Sequence, residues 1–177
     1  MAGIIKVNQY QDFNGNTLFT SDGSGNLTTQ KTLYPAFEAT ITTEQNPSNT
    51  TETKINFDNK VFDTDSAYDT TNKRFTVPSG KAGKYHFYCD ACIGSSANST
   101  LNQCQTFVFK NGVKTDSRTL FNSNADGNGR YMQLTLLITM DLVVGDYIEI
   151  FCYADLDSGT VEVRTTESRF GGYRIGS

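Results

Sequence analysis

Histidine, tryptophan and proline are scarce in this chain of 177 residues, which has one histidine, no tryptophan and three prolines. A single histidine, His86, excludes a metal centre built from several histidines. It would also have to be the base for any cysteine nucleophile, yet Cys89 and Cys92 lie on its own predicted strand with no separate group to orient it. We therefore predict no catalytic residue and no metal ligand, and we interpret His86 as a packing or interface residue.

An excess of basic residues and long apolar runs are also lacking. The chain has 15 Lys and Arg against 19 Asp and Glu, a net charge of −4 and a pI near 4.9. This balance argues against nucleic acid as a partner. No segment approaches the ~20 apolar residues of a membrane helix, so we predict no membrane insertion. The N-terminal residues lack the basic and apolar regions of a secretion signal, and we expect the chain to fold where it is made.

The four cysteines, Cys89, Cys92, Cys104 and Cys152, do not predict a disulfide framework. A domain of this size does not need disulfides to be stable, and without an export signal free thiols are expected. Two alternatives stay open: a zinc site made by four thiolates, and a disulfide between Cys92 and Cys104. The zinc site is disfavoured because residues three apart on one strand point to opposite faces.

The abundant residues favour strands and turns. Thr, Asn, Ser and Gly are frequent, and 12 Phe with 9 Tyr are enough to fill one core. About ten short segments show strand-like alternation, and none is helical, which predicts an all-β antiparallel jelly roll or sandwich. The segments are residues 36–41, 54–57, 61–62, 74–77, 85–93, 106–110, 113–121, 131–140, 147–153, 161–164 and 169–175.

Residues 1–34 differ from the rest of the chain. Asn14-Gly15 and Asp22-Gly23 predict tight turns between short strands, because these residues tolerate positive φ. The segment has too few apolar residues to bury a core, and a lone hairpin is marginal in water. We predict a short β-hairpin segment over 1–34 and a jelly-roll head over 35–177. The first must pack on a neighbour, either copies of the same chain or a different protein.

A polar loop resembles a calcium-binding loop in its spacing. Oxygen-bearing side chains occur at Asn122, Asn124 and Asp126, and Gly127 follows. Asn122 replaces the leading aspartate and Gln133 replaces the bidentate glutamate, so one carboxylate remains, and strands flank it. We interpret the loop as an exposed hairpin loop, with weak calcium binding as the alternative.

Two acid pairs suggest the paired carboxylates of a glycoside hydrolase. They are Asp63 with Asp65 and Asp155 with Asp157. Both lie in turn-like sequence that implies no cleft, so we interpret them as solvated loop acids. We predict a protein that is not an enzyme and needs no cofactor.

The order and spacing of aromatic residues and glycines over roughly residues 36–176 resemble those of a known family. The most specific block runs from Tyr68-Asp69 to Gly83-Lys-Tyr85-His-Phe87. It is similar to the globular heads of complement component 1q and the wider tumour-necrosis-factor-like jelly rolls. The positions of this resemblance are Phe37, Tyr68, Phe75, Gly83, Tyr85, Phe87, Gly145, Asp146, Phe170 and Gly172.

The resemblance implies a homotrimer whose sandwiches meet along apolar strand faces, and a protein that binds and does no chemistry. One apolar stripe in the segment 131–140 could then line either the threefold axis or the subunit core. The sequence does not separate these two interpretations. The stripe consists of Met132, Leu134, Leu136, Ile138 and Met140.

Residues 1–34 resemble structural proteins of bacteriophages, particularly marine ones. The similar features are the start Ile4-Ile-Lys-Val7 and the turns around Asn14-Gly15-Asn16 and Asp22-Gly23-Ser24-Gly25-Asn26. This resemblance implies a virion location, as a short fibre, tail appendage or capsid decoration. Residues 1–34 would bind other virion proteins while the head trimer projects. Binding of a host receptor or a glycan is the alternative function.

Overall fold

The structure, a computed structural model, describes residues 7–29, 35–123 and 129–176. The chain divides into two compact units, an N-terminal unit of residues 1–34 and a head of residues 35–177. Within the described ranges every regular element is a β-strand. Across those same ranges no helix is long and apolar enough to cross a membrane. The all-β fold predicted from the alternation of residues is confirmed.

The N-terminal unit contains a three-stranded antiparallel sheet. Its strands, in order across the sheet, are β1 (Gln9–Gln11), β2 (Thr17–Ser21) and β3 (Leu27–Thr29). The turns between them include Asn14-Gly15 and Asp22-Gly23, as predicted. Tyr10 and Leu27 are exposed on the sheet, which is expected of strands this short.

The head is an antiparallel sandwich. Its strands in chain order are β4 (Ala36–Thr40), β5 (Thr53–Lys54), β6 (Asn59–Asp63), β7 (Tyr68–Asp69), β8 (Arg74–Thr76), β9 (Gly83–Ser95), β10 (Leu101–Lys110), β11 (Val113–Asn122), β12 (Tyr131–Leu142), β13 (Tyr147–Leu156), β14 (Val161–Val163) and β15 (Arg169–Gly176). In the described part of the head they form two sheets of six strands. The two-residue strand β7 is too short for its alternation to be visible in the sequence.

The two sheets differ in strand order. Sheet I has the order β11-β10-β13-β8-β7, with β5 also paired to β13. Sheet II has the order β12-β9-β15-β4-β6, with β14 also paired to β9. Neighbouring strands are antiparallel throughout these pairings, as expected of a jelly roll.

Aromatic rings from both sheets fill the space between them. The ring of Phe37 lies at the centre, with centroid distances of 4.9 Å to Tyr68, 5.1 Å to Phe75 and 5.0 Å to Phe170. Phe37 and Phe170 belong to sheet II, whereas Tyr68 and Phe75 belong to sheet I, so the cluster joins the two sheets. Each such pair adds about 0.5–1.5 kcal/mol beyond the burial of apolar area.

Two glycines among the residues of the family resemblance allow close packing in sheet II. Gly172 lies opposite Phe87, and a Cβ on Gly172 would be 2.4 Å from Cδ1 of that ring. Gly83 begins β9, and a Cβ there would be 2.2 Å from the backbone oxygen of Gly176. Strand glycines of this kind mark places where another group approaches the backbone closely.

The Gly145-Asp146 turn between β12 and β13 holds a second hairpin in place. Oδ1 of Asp146 accepts a hydrogen bond from Nδ2 of Asn111 at 2.8 Å. Its Oδ2 accepts one from the N–H of Val143 at 3.0 Å and lies 2.9 Å from Nζ of Lys110. The hydrogen bonds from Asn111 and then from Lys110 lower the pKa of Asp146 to about 2. The carboxylate therefore connects the β10–β11 hairpin to the β12–β13 turn.

The apolar stripe of β12 faces the interior of the subunit. Leu134 and Leu136 are buried, and Met132, Ile138 and Met140 are partly buried and packed against the core. Of the two interpretations that the sequence leaves open, the subunit core is therefore the correct one. The alternate residues of β12 point to the other side of sheet II.

The interpretation of Asp63 and Asp65 as solvated loop acids is wrong. The side chain of Asp63 is only 2% exposed. It accepts hydrogen bonds from the N–H groups of Ala67 at 2.9 Å and Tyr68 at 3.1 Å. Buried backbone N–H groups need an acceptor, and Asp63 supplies it for the turn before β7. Asp65 is also largely covered and pairs with Lys81 at 3.6 Å.

We expect Gly172→Ala to lower the free energy of unfolding by about 1–3 kcal/mol, because the added methyl group would overlap the ring of Phe87. Gly176→Ala on the same strand is the matched control, since nothing lies within 4 Å of the position of its Cβ. The control should stay within about 0.5 kcal/mol of the parent protein in urea unfolding. Equal stability of both variants would contradict the close approach.

We expect Asp146→Asn to reduce the loss of stability in acid. The pKa of Asp146 falls from its ordinary value of 3.8 to about 2 on folding. Its ionised form therefore stabilises the fold above the unfolded pKa, and this contribution disappears as the pH falls from 3.8 to about 2. As the pH falls through this window, the free energy of unfolding measured in urea should decrease less for the variant than for the parent protein.

Asp116→Asn, an exposed position on β11, is the control for this measurement and should follow the parent protein. If the parent, the control and Asp146→Asn all lost the same free energy of unfolding in acid, Asp146 would not provide this stabilisation.

Candidate protein-interaction face

The outer face of sheet II, turned away from the core, is made by alternate residues of its strands. Because the strands pair in register, residues of successive strands form straight rows across this face. One row consists of Leu137, Tyr88, Gly171, Glu38 and Phe62. The next row consists of Thr139, His86, Tyr173 and Ala36.

The side chain of Tyr88 lies flat across the neighbouring strand. Its hydroxyl donates a hydrogen bond to Oε2 of Glu38, two strands away, at 2.6 Å. The ring passes over Gly171, where a Cβ would be 2.3 Å from its Cζ atom. Only glycine leaves room for the ring at this position. Burial and the hydrogen bond to Glu38 raise the pKa of Tyr88, so the phenol remains a protonated donor.

Tyr131 makes the same arrangement at the other end of the sheet. Its hydroxyl donates to Oε2 of Glu162 on β14 at 2.5 Å. The ring passes over Gly94, where a Cβ would be 2.0 Å from its Cδ1 atom. The hydrogen bond to Glu162 raises the pKa of Tyr131. We call each arrangement, with Tyr, Gly and Glu on three successive strands, a tyrosine clasp.

A polar row lies between the two tyrosine clasps. Asp90 of β9 accepts a hydrogen bond from Oγ1 of Thr135 on β12 at 2.6 Å. The same carboxylate pairs with Nε of Arg169 on β15 at 3.3 Å. The polar end of the outer face is therefore held by contacts within the sheet, and its charges are partly compensated there.

The opposite end of the outer face carries exposed apolar side chains and is bordered by the exposed charged residues Lys84 and Asp141, which lie opposite each other on β9 and β12. Four large apolar side chains lie here and are between 45% and 65% exposed. Glu38 is the only charged residue in the row that joins Leu137 to Phe62, and it is the acceptor in a tyrosine clasp. We call these four residues the apolar patch: Phe62, Leu137, Tyr173 and Ile175.

His86 lies inside this apolar end and is half-buried. Its Nδ1 atom is 3.2 Å from Oγ1 of Thr139, and its ring centroid is 5.5 Å from that of Tyr173. Neither contact supplies an acid to orient the imidazole or a nucleophile for it to activate. The position is that of a packing residue bordering a surface.

The four cysteines are buried and have free thiols. Burial raises the pKa of Cys104 and of Cys152 to about 12, so both are protonated at neutral pH and are poor nucleophiles and poor zinc ligands. Burial also raises the pKa of Cys89 and of Cys92. The alternative of a cross-strand disulfide between Cys92 and Cys104 is wrong, because both thiols are free and only Cys104 belongs to the core between the two sheets.

The other sites considered from the sequence are the acid pairs and the calcium-like loop, and part of that loop lies outside the described residues. In the parts of the chain that the structure describes, no three His, Cys, Asp or Glu side chains lie close enough together to hold a metal ion. Asn124, Asp126 and Gly127 of the calcium-like loop lie outside the described residues. Asp157 is exposed and accepts a hydrogen bond from Asn102 at 2.7 Å, whereas its partner Asp155 is half-buried.

The tyrosine clasps were not predicted from the sequence. Their members are distant along the chain, and only the pairing of three strands brings Tyr88, Gly171 and Glu38 into one row. The sequence feature that could have indicated them is the glycine, because a glycine inside a strand marks a place where another group approaches the backbone closely.

No protein-family model and no curated protein sequence matches the chain. Among solved structures, the globular domain of a zebrafish complement 1qA protein is similar with a TM-score of 0.57 and 14% identity, over 80% of this chain and 98% of that chain. Murine APRIL is similar with a TM-score of 0.58 and 11% identity, over 80% of this chain and 99% of that chain. The chain therefore contains a jelly roll with the fold shared by complement-1q-like and tumour-necrosis-factor-like domains, as its sequence resemblance implies.

Proposed function

We propose that the chain is a non-enzymatic structural protein of a bacteriophage particle, and that its head is a homotrimer joined through the outer face of sheet II. The observation that supports this most is the apolar patch on the outer face of sheet II. Exposed apolar patches mark surfaces that contact other proteins. The groups on this face with shifted pKa values are phenols held in the protonated form, which suits structure better than acid or base catalysis.

The position of the apolar patch suits copies arranged side by side. Leu137 lies on the edge strand β12, and Phe62 lies on the edge strand β6 at the opposite side of sheet II. The patch therefore reaches both edges, where neighbouring copies around an axis would meet. Contacts between different parts of the same surface close into rings when the rotation permits. The resemblance to complement-1q-like heads favours three copies.

The tyrosine clasp of Tyr88 prepares this face for burial. A polar group that is buried without a partner costs about 1–3 kcal/mol. The hydroxyl of Tyr88 and the carboxylate of Glu38 are already paired within one subunit at 2.6 Å. Another copy can therefore cover Tyr88 and Glu38 without leaving that hydroxyl or that carboxylate unpaired.

The virion role is supported by the resemblance of residues 1–34 to phage structural proteins. In this proposal the N-terminal unit binds other virion proteins, and the head trimer projects from the particle. Three copies joined in one trimer strengthen weak contacts through a high effective concentration. The role is mechanical and adhesive, and a short fibre, tail appendage or capsid decoration would each fit it.

We expect the purified chain to form a trimer with three times the chain mass of 19.6 kDa in light scattering, and Leu137→Lys to dissociate it. Each lysine would place an unpaired charge in the contact, at a cost of about 3–5 kcal/mol. Association should weaken at least about a hundredfold, which corresponds to about 2.7 kcal/mol. The measurement is the mass from light scattering at a series of decreasing protein concentrations.

Val113→Lys is the matched control, because Val113 is 69% exposed on sheet I and Leu137 is 65% exposed on sheet II. This variant should remain trimeric. A monomeric parent protein would reject the homotrimer, and a fully trimeric Leu137→Lys would reject this face as the contact.

We expect a variant lacking residues 1–34 to lose incorporation into particles while its head keeps a cooperative thermal transition. The reason is that the N-terminal unit is the proposed attachment to other virion proteins. Purified particles would be assayed for the chain by mass spectrometry, with the full chain as control. Unchanged incorporation would reject the anchor. Binding of the full chain to host cells or a glycan panel, without incorporation, would replace the decoration role with receptor binding.

A further inference from the structure

The first turn of the N-terminal unit is held by one aspartate. Oδ1 of Asp12 accepts hydrogen bonds from the N–H groups of Asn14 at 2.9 Å and Asn16 at 2.8 Å. Its Oδ2 accepts one from Nδ2 of Asn16 at 2.8 Å. The side-chain hydrogen bond from Asn16 is the main reason that the pKa of Asp12 is lowered.

The second turn, ten residues later, repeats these contacts. Oδ1 of Asp22 accepts from the N–H groups of Ser24 at 2.7 Å and Asn26 at 3.1 Å, and its Oδ2 accepts from Nδ2 of Asn26 at 2.6 Å. The backbone bond that closes the turn, from the N–H of Asp22 to the oxygen of Asn26, is 3.2 Å. The two turns are therefore built by the same hydrogen bonds.

The two turns differ at the residue after the aspartate. The first has Phe13 and the second has Gly23. Gly23 has a positive φ of 79°, which Phe13 does not share, yet the aspartate hydrogen bonds form in both turns, so they do not depend on the ring of Phe13. The ring of Phe13 is fully exposed, with a relative accessible surface of 104%. Large aromatic side chains are enriched among the residues that dominate protein contacts, and the backbone of Phe13 lies in a turn closed by hydrogen bonds to Asp12.

A surface that fits this ring lies on the same unit. The register of β1 and β2 places Tyr10 opposite Phe19, and their rings stack with centroids 4.4 Å apart. Leu27 lies opposite Ser21, which is on the same face of β2 as Phe19. Tyr10 and Leu27 are both exposed. Residues 7–29 include two charged side chains, Asp12 and Asp22, and both are bound inside turns.

We propose that, in the trimer, Phe13 of each copy packs on the face formed by Tyr10, Phe19 and Leu27 of the next copy. This inference rests on the proposed homotrimer. The ring and the face are different surfaces of one unit, so the contact is heterologous and closes around three copies. The face is uncharged, and like copies therefore meet without repulsion. The head trimer holds the three N-terminal units at high effective concentration.

A disulfide cross-link in the full chain tests the contact. The four native cysteines are buried, so Phe13→Cys with Leu27→Cys adds the accessible pair. The matched control is Asn14→Cys with Leu27→Cys, because Asn14 is exposed in the same turn and contributes only its backbone N–H to the turn. After mild oxidation we expect covalent dimers and trimers in at least about fivefold higher yield for the first pair, as expected of cysteines held within bonding distance.

The outcomes separate this contact from the homotrimer itself. A trimeric mass with equal cross-linking in both double variants would overturn the Phe13 contact and leave the homotrimer standing. A monomeric mass would reject the homotrimer.

Phe13→Ser, measured by amide hydrogen exchange over residues 7–29, gives a second test. Exchange should be at least about tenfold faster than in the parent trimer. The reason is that the strands of the N-terminal unit open more often without the contact between Phe13 and the next copy. Unchanged exchange together with lost incorporation into particles would assign Phe13 to a different virion protein and overturn the inference.

Discussion

The close approach of two aromatic rings to the Gly171-Gly172 pair is the contact on which the rest of the head depends. Successive residues of a strand point to opposite faces, so the two glycines open space on both sides of sheet II at one place. On the inner side Phe87 fills this space and lies beside the ring of Phe37. On the outer side Tyr88 fills it and reaches a carboxylate two strands away. A side chain on either glycine would displace one of these rings.

The same strands thus supply both one side of the core and the outer face. Inside, rings from the two sheets pack in a cluster that tolerates little change in shape. Outside, the tyrosine clasps pair phenols with carboxylates within one subunit, which removes the main cost of covering those groups. Burial and hydrogen bonding raise the pKa of both phenols and so keep them protonated. A face whose polar groups already satisfy one another, next to exposed apolar side chains, is better suited to contact than to proton transfer.

The strands were predictable from the sequence because alternation is a local property, whereas the relations between strands were not. The stripe of β12 shows this difference. Its residues were correctly placed on one face, but only the packing of the second sheet shows that Met132 and Met140 point inward. Asp63 was misinterpreted because its partners are backbone N–H groups of a turn that packs on the core. The tyrosine clasps require the register of three strands, and a single sequence does not contain that register.

We expect the N-terminal unit to need contacts beyond its own residues, for a physical reason. Ordering the backbone costs about 1–2 kcal/mol per residue. Against this cost residues 7–29 provide short strand pairings, two aspartate turns and one stacked ring pair, and the ring of Phe13 is fully exposed. A free unit in solution would also have to lose translational freedom to find a partner. In the proposed trimer, attachment to a head that has already associated would remove most of that second cost, so we expect the head to assemble first and the N-terminal unit to become ordered afterwards.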